Sequence, residues 1–202
     1  MNTAVDRINA LARRVPVWSV WLILGIPAVW TFYLGLTGGL GAEPIKALER
    51  KLGEVALQLV ILGLCLSPLR RHLGVNLIRF RRAVGLLAFT YVSLHLLVWL
   101  VLDVQIWAQI WADILKRPYV TVGFTAFLMM IPLALTSNDL SLRRLGPRWR
   151  VLHRLTYVVA VLGAVHFIWL SKGFQIEPLV YLAVILALLA LRLRYARRRR
   201  SA

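Results

Sequence analysis

The sequence predicts an all-α integral membrane protein with six transmembrane helices. Three observations predict it. Of the 202 residues, 60% are hydrophobic. The apolar residues gather into runs of about twenty positions nearly free of charge, the length a helix needs to cross a bilayer core. The 25 Lys and Arg, against 8 Asp and Glu, fall in short clusters between those runs, which is how a membrane protein marks its cytoplasmic loops. A net charge of +17 would also suit nucleic acid, but charge broken up by apolar runs forms no continuous basic face, and nucleic-acid binding is set aside.

Taken in order, the spans are 17–36, 52–69, 83–102, 119–136, 151–170 and 178–191. The last is short and is read as running on into a basic tail. Helix-breaking residues punctuate the connections: Gly38, Gly39, Gly41 and Pro44 after the first span, Pro118 before the fourth, and Gly146 and Pro147 before the fifth. No stretch is left over for a soluble domain, so residues 1–202 read as one transmembrane domain. The basic N-terminus ahead of an apolar run imitates a signal peptide, but the run is long and no small-residue cleavage site follows, so it reads as a retained helix.

Orientation follows from the arginines. Arg7, Arg13 and Arg14 precede the first span, Arg70, Arg71, Arg79, Arg81 and Arg82 lie in the second connection, and Arg143, Arg144, Arg148 and Arg150 in the fourth. The tail adds Arg192, Arg194 and Arg197 to Arg200. The other three connections hold Lys46, Arg50, Lys51, Lys116, Arg117 and Lys172. Both termini are therefore expected in the cytoplasm, with the arginines contacting anionic membrane lipid.

Three histidines fall within these spans: His95, His153 and His166. An ionisable ring in hydrocarbon is costly and needs a partner, and haem iron is the natural partner for several neutral imidazoles. Counting about 1.5 Å per residue from the cytoplasmic entry, His95 lies roughly 18 Å deep, His166 roughly 22 Å and His153 about 3 Å. His95 and His166 are thus level, as axial ligands of one haem on two helices require. His153 belongs to a shallower layer. Its thirteen-residue separation from His166 puts the two about 140° apart on an ideal helix unless a bend, for which Gly163 is placed, intervenes.

The remaining candidates carry less chemistry. His72, beside Arg70 and Arg71, reads as a solvated loop residue. Trp99, Trp107, Trp111, Trp149 and Trp169 stand near span ends as an interfacial belt, and Met129 and Met130 as packing residues. Cys65 is the single cysteine, so a disulfide, a zinc site and covalent c-type haem attachment are excluded. Glu54 and Asp103 sit at span ends rather than in mid-membrane, which weakens proton-coupled transport. With no glycine-rich dinucleotide motif, hydride chemistry is expected to occur elsewhere. Three classes stay open: a haem electron-transfer subunit, a stand-alone ferric or quinone reductase-type cytochrome b, and a haem-free channel or scaffold.

The segments GGLGAEP at 38–44, RPYVTVG at 117–123, LGPRWRVLH at 145–153 and YVVAVLGAVHFIWLSK at 157–172 resemble those of the MsrQ (YedZ) family. More distantly, the chain is similar to the ferric reductase-like transmembrane core, whose larger relatives carry a flavin and nicotinamide module. The resemblance implies haem b held at His95, His153 and His166, with FMN as a further cofactor. It implies electrons drawn from the quinone pool, and also from a cytosolic flavin reductase, across the bacterial inner membrane. They pass to an MsrP-like periplasmic molybdopterin reductase that repairs methionine sulfoxide in envelope proteins; the chain itself is then not the catalytic subunit. The larger relatives pair four histidines on two helices, whereas position 81 is arginine here. One haem with His95 and His166 as axial ligands is expected, and His153 is left as either a ligand of a second haem or part of a flavin or quinol site.

Overall fold

The computed structural model describes residues 3–171 and 175–198, without the side chains of Thr3 and residues 193–198. Lys172, Arg199 and Arg200 lie outside the described residues, as do the side chains of Arg194, Arg197 and Arg198. Every regular element among the described residues is helical. Five helical stretches are long and apolar enough to cross a membrane: Val17–Leu36, Pro44–His72, Ile78–Val104, Pro118–Leu135 and Pro147–Leu170.

Helix α1 (Thr3–Arg14) precedes the first of these. It is fastened to the connection between the second and third. The Asn9 amide donates to the Gly74 carbonyl at 3.0 Å and accepts from the Asn76 N–H at 2.7 Å. Arg79 donates to the carbonyls of Ala12 and Arg13 at 3.0 and 2.6 Å, satisfying groups that the end of a helix leaves without partners.

Helix α2 (Val17–Leu36) contains Pro27. A proline ring inside a helix crowds the preceding turn and opens the backbone ladder. The opening is filled from another helix: the Ala28 N–H donates to the Tyr91 hydroxyl at 2.9 Å, and that hydroxyl donates to the Leu24 carbonyl at 2.7 Å. Tyr91 is 1% exposed, so its hydroxyl replaces one rung of α2 from inside the bundle.

Helix α3 (Pro44–His72) begins with a proline at its first turn, where the missing N–H costs nothing. It turns Leu48, Leu52, Ala56, Leu59 and Leu64 into the core at three- to five-residue spacing. Helix α4 (Arg81–Val98) follows a 3-10 turn, Ile78–Phe80, and widens into a π-helical segment, Trp99–Val104, that ends at Gln105 with φ +60°. Helix α5 (Trp107–Lys116) buries Ile110, Asp113 and Ile114 and turns Trp107, Trp111 and Leu115 outward. Helix α6 (Pro118–Leu135) again starts on proline. The short α7 (Asp139–Leu145) is capped by the Asn138 side chain, which accepts from the Ser141 N–H at 2.7 Å. Helices α8 (Pro147–Leu152), α9 (Leu155–Leu170) and α10 (Ile176–Arg198) complete the described residues.

The packing is organised around two helix pairs. Helix α3 runs along α4 and α6 along α9, with α2 against α3 and α4, and α10 against α9 and α3. Ala160 and Ala164 are fully buried on α9, and Gly163 faces the Leu57 side chain. Small residues at such positions let helix backbones approach closely where lipid supplies no hydrophobic drive. Near the arginine-rich end, Arg192 on α10 donates to the Leu64 carbonyl at 2.6 Å and the Tyr157 hydroxyl at 3.0 Å, tying α10 to α3 and α9.

Several span limits differ from those expected. The second helix begins at Pro44, not 52, because Lys46 and Arg50 pair with Glu43 and Glu54 at 2.9 Å each and carry the helix past its apolar stretch. The fifth is interrupted between α8 and α9 at His153 and Arg154 and runs unbroken through Gly163, so His153 stands in a turn rather than inside a helix. His72 is the exposed last residue of α3, not a loop residue. The amphipathic α1 and α5 lie in segments expected to be simple connections.

Replacing Tyr91 by phenylalanine leaves the Ala28 N–H and Leu24 carbonyl without their bridge. The expected loss is about 1–3 kcal/mol, read as a lowered midpoint in thermal unfolding of detergent-solubilised protein. An unchanged midpoint contradicts the bridging role.

Candidate functional site

His95 lies three residues before the end of α4, just ahead of the π-helical segment, and His166 lies near the end of α9. The fold brings their rings together with centroids 6.2 Å apart and planes inclined at 79°. Both rings are half-buried among side chains of the bundle.

Each ring is held from behind in the same way. The Nδ1–H of His95 donates to the backbone carbonyl of Glu49 on α3 at 2.9 Å. The Nδ1–H of His166 donates to the backbone carbonyl of Tyr119 on α6 at 2.7 Å. A carbonyl oxygen can only accept, so both bonds put the ring proton on Nδ1. In the neutral imidazole this leaves the Nε2 lone pair available to a metal.

These acceptors lie inside helices, where each carbonyl already serves the N–H four residues on. That residue is Gly53 after Glu49 and Gly123 after Tyr119. A Cβ at Gly53 would stand 3.2 Å from Nδ1 of His95, and one at Gly123 only 2.7 Å from Nδ1 of His166. The glycines open a notch on the helix surface through which an imidazole edge reaches a carbonyl's second lone pair. The sequence separation from acceptor to histidine is 46 residues in one pair and 47 in the other. The α3/α4 and α6/α9 pairs are thus two copies of one device, and their histidines meet between them.

This donor set fits a haem iron. A metal–imidazole bond of about 2 Å, with each ring nitrogen about 1 Å from its ring centre, places two axial imidazole centroids roughly 6 Å apart. The second-shell bond from Nδ1–H to a carbonyl is the arrangement that fixes tautomer and ring orientation at metal sites. Among the described residues no group of three or more His, Cys, Asp or Glu forms a cluster that would suit another metal ion.

His153 is not part of this pair. Its Nε2 lies 3.0 Å from the Thr136 hydroxyl, which donates its own proton to the Pro132 carbonyl at 2.6 Å. The hydroxyl therefore accepts from Nε2–H, and His153 has the opposite tautomer. Trp149 stacks on the ring with centroids 3.8 Å apart and donates to the Thr136 carbonyl at 2.8 Å. Arg81, at the start of α4, is within electrostatic reach of both His153 and Arg192. Trp149 thus packs on a histidine, while Trp107, Trp111 and Trp169 are exposed as an interfacial belt requires. Met130 is buried in the core and Met129 packs against it.

The carbonyl acceptors and their glycines escaped the reading of the sequence. The available signal was a glycine inside each of two apolar helices, where it costs about 1 kcal/mol relative to alanine and so implies a close approach.

Comparison with known proteins follows the same lines. A family model described as "Ferric reductase like transmembrane component" matches residues 52–164, a stretch that includes His95 and His153 and ends just before His166. The chain is 48% identical over 178 residues, 88% of its length and 83% of the relative's, to the "Protein-methionine-sulfoxide reductase heme-binding subunit MsrQ" of Agrobacterium fabrum. It is 46% identical over 191 residues, 92% of its length and 87% of theirs, to proteins of the same name from Brucella ovis and Brucella canis. No solved structure matches. Five apolar helices and a transmembrane family model together make this a multi-pass membrane protein.

The tautomers provide a test of the site. In haem-depleted protein labelled with ¹⁵N-histidine, solid-state NMR is expected to show His95 and His166 protonated at Nδ1 and His153 at Nε2. Nε2-protonated His95 or His166 contradicts the geometry.

Proposed function

This chain belongs to the MsrQ family, and we propose that it is the haem b-carrying membrane subunit through which electrons reach a methionine-sulfoxide reductase. The observation that carries the reading is the pair of imidazoles, His95 and His166, 6.2 Å apart and each anchored at Nδ1 by a helix carbonyl, which leaves both Nε2 atoms free to hold an iron. Similarity of about half the residues to proteins named as the haem-binding subunits of that system supports it.

When bound, haem b supplies a one-electron ferric/ferrous couple inside the bilayer. The chain's residues do the rest. The Nε2 atoms of His95 and His166 would hold the iron, while the carbonyls of Glu49 and Tyr119 keep the Nδ1 protons in place. Leu57, Ala160, Ala164 and Phe167 form the dry packing between the two helix pairs. Excluding water there keeps the environment of the couple fixed and makes each of these hydrogen bonds stronger than it would be in solvent.

Six spans with both termini in the cytoplasm complete the reading. The arginine distribution supports that orientation, and α10 packs against α3 and α9 as a sixth span does. In this arrangement the chain sits in the bacterial inner membrane and draws electrons from the quinone pool or from a cytosolic flavin reductase, with FMN as an associated cofactor. It delivers them at the periplasmic face to an MsrP-like molybdopterin enzyme. A second haem at His153 requires a ligand nitrogen other than the Nε2 now bonded to Thr136, or the release of that bond. Arg81 occupies the matching position on α4.

His95→Ala and His166→Ala are each expected to abolish the haem absorption spectrum of the purified protein. Full haem retention in either variant overturns the assignment. His153→Ala is expected to leave the spectrum of the pair in place, and a loss of half the haem in that variant counts a second group.

A further inference from the structure

Resting on that reading, we propose that Gly53 and Gly123 are positioning residues that govern how tightly haem is held and at what potential it is reduced. They act through the imidazole–carbonyl bonds of His95 and His166. Neither glycine would touch the iron. Each removes the one atom, its own Cβ, that would stand between an imidazole Nδ1 and the backbone carbonyl one turn before it.

The two notches are unequal. At Gly123 a Cβ would meet Nδ1, Cε1 and Cγ of His166 at 2.7, 2.8 and 3.1 Å, against the whole inner edge of the ring. The ring cannot stay where it is, and the bond to Tyr119, 2.7 Å long, cannot survive its displacement. At Gly53 the corresponding approaches to His95 are 3.2, 3.3 and 3.8 Å. A shift of a few tenths of an ångström relieves that contact, so the bond to Glu49 lengthens without breaking. Gly85 on α4 has nothing within 4 Å of its Cβ position. It serves as the control for the general effect of alanine on a helix, which is mildly stabilising.

The electronic consequence follows from the bond itself. Donating Nδ1–H to a carbonyl pushes electron density onto the ring and makes Nε2 a stronger base. A more basic ligand favours the ferric over the ferrous charge state, so the bond holds the reduction potential down. Losing it raises the potential with no change in ligand identity.

The test is a redox titration and haem quantification of purified wild-type, G85A, G53A and G123A proteins in the same detergent. G85A is expected to match wild type. G53A is expected to keep its haem and to shift the oxidised-to-reduced ratio at fixed potential toward the reduced form by up to about tenfold, equal to 59 mV for one electron. G123A is expected to lose most of its haem, with the fraction retained shifted further in the same direction. If G123A does not accumulate, the G53A shift alone decides. Wild-type potential and haem content in G53A, with G123A equally unaffected or not recovered, overturn the proposal, as does a shift in G85A equal to theirs. A wild-type protein without haem, or an H95A protein that keeps it, sinks the haem assignment itself. Haem loss in H95A with unaffected glycine variants sinks only the role of the glycines.

Discussion

The bond from a histidine Nδ1–H to a carbonyl inside a neighbouring helix is the constraint around which this bundle is arranged. A buried N–H must find an acceptor, and the middle of a helix offers none that is not already bonded. Each carbonyl has a second lone pair, but side chains normally screen it. Gly53 and Gly123 remove that screen. Once an imidazole edge is lodged in the notch, the helix carrying the histidine is fixed against the helix carrying the glycine. The close pairing of α3 with α4 and of α6 with α9 is the geometry those bonds demand. Two such pairs facing each other bring His95 and His166 to 6.2 Å.

The helix interior is then adjusted around these two anchors. Tyr91, four residues before His95 on α4, spans the ladder that Pro27 opens in α2, so the first span is bound to the same helix that carries a site histidine. The π-helical segment after His95 shifts the phase of the chain directly beyond the site, as such segments do where a functional side chain must be aimed. Beside His166, Tyr119 supplies the carbonyl, and its hydroxyl lies 3.3 Å from Arg117, which pairs with the buried Asp113 of α5 at 3.1 Å. The amphipathic α5 is thereby linked to the site through Arg117 and Tyr119.

Much of this was legible in the sequence. Apolar length and arginine clusters marked five of the helices observed to be long and apolar enough to span a bilayer, and depth counting placed His95 and His166 on one level. What escaped has identifiable causes. Hydropathy does not register the charged first turns of α3, because Lys46, Arg50 and their carboxylate partners continue a helix beyond hydrocarbon. It does not register α1 or α5, which at 12 and 10 residues are too short to look like spans. The break at His153 follows a short six-residue helix started by Pro147, whereas the residue considered for a bend in this span was Gly163. That glycine instead serves packing against Leu57. Backbone acceptors carry no signature of their own, and only the cost of a glycine within each helix hinted at them.

The 79° between the imidazole planes gives the most direct measurement of the central claim. Electron paramagnetic resonance of the oxidised, purified protein reads the relative orientation of two axial imidazoles from the anisotropy of the low-spin ferric signal. Crossed planes leave the iron orbitals nearly degenerate, and the account predicts a strongly anisotropic low-spin signal at a stoichiometry matching the haem content. A high-spin signal, or the rhombic low-spin signal of parallel imidazoles, contradicts it.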